Sequence, residues 1–205
     1  MITPKFNNKP NDHIMYGFDS QSSGVKIRQD YWISRSVTTV GIVFIISSHD
    51  DIQILITQRS NKMRDEKNKF CLPCGYVDWQ ETIFESMTRE VYEETSLYLP
   101  DYKDLLITNY NEKPIEIRDN PNNHLQNISF IYLSVYDFTK NMQRFPIDIE
   151  KYSDKETKLV KWISFNDFYD KYDKEFNWAF GHNETIKKAI HFFNEFYLEK
   201  NAIKL

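Results

Sequence analysis

The sequence is poor in cysteine, has no long apolar run and carries no basic excess, and each shortage removes a class of protein. Its 205 residues hold two cysteines, Cys71 and Cys74, in Cys-Leu-Pro-Cys. A structural zinc would require two further ligands, and His49, His124, His182 and His191 show no matching pair spacing. The pair is read as two thiols in a loop, with a reversible disulfide as the alternative. The longest apolar run, Val40 to Ile46, falls far short of the roughly 20 residues that cross a bilayer and reads as a buried strand. No apolar signal core follows Met1, so the expectation is a soluble, cytoplasmic protein with no membrane partner. A net charge of −4 excludes dependence on non-specific nucleic-acid binding and leaves room only for a local basic groove. Neither internal repeats nor low-complexity tracts occur.

What is present fits one globular domain. Apolar residues make up 40% of the chain, enough for a single sizeable core. Residues 1–36 are polar, with Pro4, Pro10 and a Ser22-Ser23-Gly24 turn, and read as an N-terminal arm or edge element that covers the substrate or a second subunit of a homodimer. Residues 37–205 form the domain proper. Strands are expected at Val37–Ser47, Ile52–Arg59, Leu105–Tyr110, Asn127–Tyr136 and Leu159–Ile163. Glu112 to His124 is too polar for a core and reads as a functional or mobile loop. From Glu184 to about Glu199, Ile186, Ala189, Ile190, Phe193 and Tyr197 recur at helical spacing.

The most informative feature is a spacing. Glu90, Glu93 and Glu94 fall at i, i+3 and i+4. At about 100° per residue they leave a helix within about a third of its circumference. Three like charges so close oppose folding unless positive charge lies against them, and hard divalent cations prefer such oxygen ligands. The pattern predicts a site for Mg²⁺ or Mn²⁺, which serves phosphate chemistry by neutralising a pyrophosphate and activating water. The helix is expected from Thr82 to Thr95, with Ile83, Phe84, Met87 and Val91 as its apolar stripe. Arg89 lies one turn from both Glu85 and Glu93 and suits ion pairs with either.

With its flanks, this segment resembles the Nudix box, G-x5-E-x7-R-E-U-x-E-E-x-G-U, where U is a bulky aliphatic residue. Gly75, Glu81, Arg89, Glu90, Val91, Glu93, Glu94 and Leu97 stand in register, and Ser96 replaces the usual glycine. Chance alignment of so many positions is on the order of one in a hundred million per starting point. The resemblance implies an α/β/α sandwich with a mixed β-sheet, spanning Val37 to Leu198, and a metal-dependent pyrophosphohydrolase. It makes Glu93 and Glu94 metal ligands, Glu90 a ligand or base, and Arg89 the residue that holds a carboxylate in place. Cys74 stands where the family commonly has glycine, and its backbone carbonyl is a further metal ligand by the same resemblance. Glu81 braces the loop. An extra base or ligand is expected before Trp162-Ile163-Ser164; Glu156 is the choice, with Glu150 and Asp154 as rivals. Arg59, ending a strand aimed at the box loop, is read as gripping a substrate phosphate or else facing solvent. A left-handed Ser96 at the helix end would cost about 1 kcal/mol more than glycine.

Leu72-Pro73-Cys74-Gly75-Tyr76-Val77-Asp78 with Glu81-Thr82 is similar to the box loop of ADP-ribose pyrophosphatases and their nicotinamide-metabolism relatives. So are Trp178-Ala179-Phe180-Gly181-His182, with Gly181 for an aspartate, and the polar loop Asp119 to His124. Trp178 and Phe180 are read as core or site residues, and His182 as a site residue or a solvent-facing helix cap. Leu55 to Ser60 with Arg64 is similar to a segment of coenzyme A pyrophosphatases, which rank second. Dinucleoside polyphosphates and RNA 5′-ends are further substrate classes, RNA being disfavoured because it requires a basic path. The non-enzymatic alternative is a nucleotide-sensing Nudix-like protein, opposed by the retention of every box carboxylate.

Overall fold

A computed structural model describes residues 11–17, 25–31, 35–48, 51–107, 113–120 and 127–202, without the side chains of 11–17, 25–31 and 196–202. Contacts divide the chain into two units, Met1–Ser36 and Val37–Leu205. In the first, β1 (Asn11–Gly17) and β2 (Val25–Tyr31) pair as an antiparallel hairpin.

The second unit is organised around β3 (Val37–Ser48), whose β-branched run suits a strand buried on both faces. It pairs antiparallel with β4 (Asp51–Arg59), with Ser48 opposite Asp51, and parallel with β8 (Ile128–Asp137). β5 (Phe70–Cys71) and β9 (Thr157–Ser164) pair with β4, β6 (Cys74–Tyr76) with β3, and β7 (Glu116–Arg118) with β8. The resulting sheet is mixed and seven-stranded.

Side chains alternate across this sheet and build two cores. Val40, Ile42, Phe44 and Ile46 pack with Ile131, Leu133 and Val135 against Ile186, Ala189, Ile190 and Phe193 of α3 (His182–Ala202). Val43 and Ile45 pack on the other face with Tyr132, Tyr136, Met87 and Val91, the last two from α1 (Ile83–Thr95). Each such side chain stabilises the fold by roughly 1.5–3 kcal/mol relative to exposure. One helix on each face gives the expected α/β/α sandwich. Gly41 lets α1 close on the sheet, since a Cβ there would lie 2.7 Å from Val91 Cγ2 and 3.1 Å from Met87 Sδ.

Two expectations need correction. Leu105 does not open a strand; it ends a 3-10 helix, Leu99–Leu105, started by Pro100, and only Leu106 bridges to Tyr136. The remainder of that expected strand, residues 108–110, lies outside the described residues. The stretch expected as loop from Glu112 to His124 contains β7, held by pairing with β8 rather than by apolar content of its own. A π-helical turn, Phe168–Tyr172, leads into the short α2 (Asp173–Glu175). No helix among the described residues is long and apolar enough to cross a membrane.

Candidate active site

A split in the sheet makes the site. β3 and β4 pair only between residues 44–48 and 51–54; beyond that, β3 takes β6 as partner and β4 takes β5. The segment from Phe70 to Tyr76 is thus wedged between them, fixed where Gly41 N–H donates to the Pro73 carbonyl at 2.9 Å. The wedge presses Gly75 onto α1 so closely that a Cβ would overlap the Glu90 carboxylate, which is why the position takes glycine.

α1 is fixed at both ends by its own sequence. Thr82 Oγ1 accepts from Glu85 N–H at 3.2 Å while Glu85 Oε2 accepts from Thr82 N–H at 2.7 Å, a reciprocal cap worth about 1 kcal/mol. Ser96 ends the helix with φ of 62°, in the left-handed region as expected. Because Glu85 serves the cap, Arg89 does not pair with it. Arg89 instead forks onto Glu81, with Nε 3.0 Å from Oε2 and Nη2 2.8 Å from Oε1, and its Nη1 donates at 2.8 Å to both Glu90 Oε1 and Glu93 Oε2. Nη2 also reaches the Tyr76 carbonyl at 3.0 Å. Glu81 further accepts from Asp78 N–H at 2.7 Å, so it braces the loop as expected, and the Arg89 bonds hold its acid down at about 2.

Glu94 lies deepest. Burial, and next the Glu90 charge, push its acid up to about 8, against the pull of Arg59 and of the Thr57 hydroxyl, which donates to Oε2 at 3.4 Å. Burial likewise raises Glu90, opposed by Arg89. Glu93 is different: its carboxylate is 55% exposed and rests on Arg89. Accordingly, no three acid, histidine or cysteine side chains among the described residues form a ready-made metal cluster. Glu90 and Glu94 nevertheless fit a divalent cation, because both are half-buried oxygen donors raised by desolvation, and each adds to the negative charge at the other.

A cavity of about 840 Å³ opens over these groups, a size suited to a small-molecule ligand. Its wall includes Arg59, Cys74, Arg89, Glu90, Glu94 and Glu156, six of the seven expected site residues; Glu93 is not part of it. Arg59 does not simply face solvent. A bulge between Gln58 and Arg59 re-aims it, and its guanidinium lies 5.0 Å from the Phe180 ring centroid. Glu156 presents its side chain to the cavity while its backbone is fixed: its carbonyl accepts from Ser60 N–H at 2.7 Å. Its rivals are occupied elsewhere. Glu150 Oε1 accepts from Trp162 N–H at 2.9 Å, and Asp154 Oδ1 accepts from the N–H groups of Glu156 and Thr157.

Cys71 is buried and Cys74 half-buried, both as free thiols. Burial pushes Cys71 up to about 12 and Cys74 well up too, so neither offers a thiolate at neutral pH. Trp178 packs with Phe70, Phe168 and Phe176, so core packing accounts for it. His182 contradicts the reading as a solvent-facing cap: it is 3% exposed and opens α3. Sequence reasoning missed Thr57, Thr38, Ser129 and Arg118, which touch Glu94 or line the cavity. Only the alternation of Glu116, Ile117 and Arg118 carried any signal for the last of these.

Comparison with known proteins follows the same lines. The family model described as NUDIX domain matches residues 35–188. A search of curated proteins returned no match. Among solved structures, a mutT/nudix family protein from Listeria innocua superposes with a TM-score of 0.53 at 21% identity, over 80% of this chain and 96% of that one. The NUDIX domain of Shewanella oneidensis NrtR complexed with ADP-ribose superposes with a TM-score of 0.51 at 15% identity, over 79% of this chain and 90% of that one. NrtR of the same organism gives a TM-score of 0.52 at 18% identity, over 76% of this chain and 62% of that one. These likenesses establish a shared fold. With the box in register on α1 and the family model spanning residues 35–188, the chain belongs to the NUDIX family of hydrolases.

Proposed function

We propose that the protein hydrolyses, with Mg²⁺ or Mn²⁺, the phosphoanhydride of a nucleoside diphosphate linked to another group, with ADP-ribose-like molecules as the leading substrate class. The observation that carries this reading is the pairing of two half-buried carboxylates, Glu90 and Glu94, both raised by desolvation and Glu94 further by the Glu90 charge, with one cavity of about 840 Å³. Glu90 and Glu94 would hold the cation, with the Cys74 carbonyl as a further oxygen donor from the wedge. A divalent cation bound there supplies charge neutralisation to the pyrophosphate and acidifies water.

The chain's own residues do the rest. Arg89 fixes Glu90 on the cavity side and keeps Glu93 on the helix surface, from which Glu93 adds negative charge that favours cation binding. Arg59 faces the cavity with its guanidinium and grips a phosphate oxygen. Glu156, exposed and with its backbone anchored, takes the proton of the attacking water. The new P–O bond forms from that water, the anhydride P–O bond breaks, and the leaving phosphate keeps the electron pair. Two phosphomonoesters result.

The ADP-ribose complex of the NrtR NUDIX domain, which shares this fold, supports the choice of substrate class. Product chromatography of the purified protein against ADP-ribose, coenzyme A, dinucleoside polyphosphates and 5′-capped RNA tests it. ADP-ribose is expected to yield AMP and ribose 5-phosphate, and a chelator is expected to stop the reaction. Glu94→Gln should lower turnover by about 10²- to 10⁴-fold. Release from no substrate, or release untouched by that substitution, overturns the reading.

A further inference from the structure

Part of the cavity wall is acidic, at Glu90 and Glu94, and another part, at Phe180 and His182, is built differently. There the chain makes two successive left-handed residues, Phe180 with φ of 55° and Gly181 with φ of 67°, before α3 begins. Phe180 carries a steric backbone cost for this conformation, and its ring, 37% exposed, lines the cavity beside Arg59. Such strain persists where the surrounding structure imposes it, and this turn delivers the next side chain, His182, to the wall.

His182 is held in one orientation and one protonation state. Its Nδ1 accepts from Leu72 N–H at 3.0 Å, so the ring proton of the neutral form sits on Nε2, at the far edge of the imidazole. Burial, with Arg118 and Arg59 nearby, holds the ring's acidity down at about 3, so it stays neutral through the physiological range. Nε2–H has no hydrogen-bond partner among the described residues, although the side chain is almost wholly buried and lines the cavity. A donor fixed at the cavity wall in this way is available to an acceptor that enters the cavity.

The surroundings select the acceptor. A second phosphate would require free positive charge, but Arg118 is engaged by both oxygens of Glu116 at 3.1 and 3.2 Å, and Glu116 also accepts from Lys188 at 2.6 Å. Thr38 and Ser129 contribute a hydroxyl pair 2.7 Å apart, and Phe180 an apolar face. An uncharged donor, neutral hydroxyls and an aromatic face match a sugar better than a phosphomonoester. Resting on the substrate reading above, we infer that His182 is a specificity-determining residue whose Nε2–H donates to a sugar oxygen of the nucleoside-diphosphate substrate, with Phe180 as the adjoining wall.

The test separates this inference from the substrate reading. In [¹⁵N]histidine-labelled protein, His182 is expected to show unprotonated Nδ1 and protonated Nε2 from pH 5 to 8, with the Nε2–H signal moving on addition of ADP-ribose but not of Mg²⁺ alone. The opposite tautomer, a ring titrating near 6.5, or a signal indifferent to ADP-ribose overturns the inference. Calorimetry in chelator then compares two variants. His182→Asn places its amide near the Nδ1 position, where it can accept from Leu72 but falls short of the Nε2 position, and should weaken ADP-ribose binding about tenfold; His182→Gln, whose amide N–H reaches the Nε2 position, should recover most of it. Inorganic pyrophosphate with Mg²⁺ carries no sugar, and both variants should bind it as the unmodified protein does. Equal loss for pyrophosphate and ADP-ribose, or no loss for either, overturns the inference alone. Failure of the unmodified protein to bind ADP-ribose with Mg²⁺ restored overturns the substrate reading and the sugar contact with it.

Discussion

Arg89 directs every nitrogen of its guanidinium into the site, to Glu81, Glu90, Glu93 and the Tyr76 carbonyl. Lysine would keep the charge and lose the fork, so Arg89→Lys leaves several carboxylate oxygens without donors. It is expected to lower unfolding free energy by about 1–3 kcal/mol, measured by urea titration. His182 gives a pH prediction. Its ring titrates at 6.5 when unfolded and at about 3 when folded, so between those values only the unfolded chain holds the proton. Stability is therefore full above pH 6.5 and falls on acidification towards pH 3, by up to about 1.4 kcal/mol per pH unit. The difference in unfolding free energy between the unmodified protein and His182→Asn should show this slope, because carboxylates such as Glu90 and Glu94 are common to both. Residues whose roles depend on local spacing were legible beforehand: the box acids and Arg89 lie on one helical face whatever surrounds them. The burial of His182 was not, since its partner Leu72 stands 110 positions away. Nor was the greater exposure of Glu93 than of Glu90, which depends on how the wedge packs against α1.

At the scale of elements, α1 ends on a residue poorly suited to its conformation. Ser96 has φ of 62°, and glycine adopts that region without steric cost. Ser96→Gly should raise the unfolding free energy by up to about 1 kcal/mol without altering the site, which a thermal melt in parallel with turnover would show. Both helices were legible because their apolar stripes and caps are local signals; the expected start of α3 at Glu184 missed by two residues because the left-handed turn before it has no such signal. β7 was hidden because its three residues gain their strand geometry from β8, and the expected strand began one residue too early, at Leu105, which closes a 3-10 helix, whereas Leu106 and Ile107 do bond to the β8 residues Tyr136 and Val135. The splitting of β3 from β4, which creates the cavity, depends on where β5 and β6 insert, and pairwise sheet register is not written in any one segment.

At the scale of the whole molecule, among the side chains that the structure describes, both cores draw on residues from Val40 to Phe193, and the chain divides into two units after Ser36. A chain beginning at Val37 is therefore expected to melt cooperatively and to hydrolyse the same substrate, as followed by circular dichroism and product chromatography; loss of the cooperative melt would show that the first 36 residues belong to the fold. The central strand has a consequence for biosynthesis. β3 lies parallel to β8 in a register that joins positions 91 apart, and parallel neighbours cannot be closed by a short hairpin. Loop closure over that distance is slow relative to local contacts. A ribosome-bound chain that has already emitted the whole acidic helix still lacks β8, Glu156 and His182, so the cavity stays incomplete until almost the entire domain has emerged.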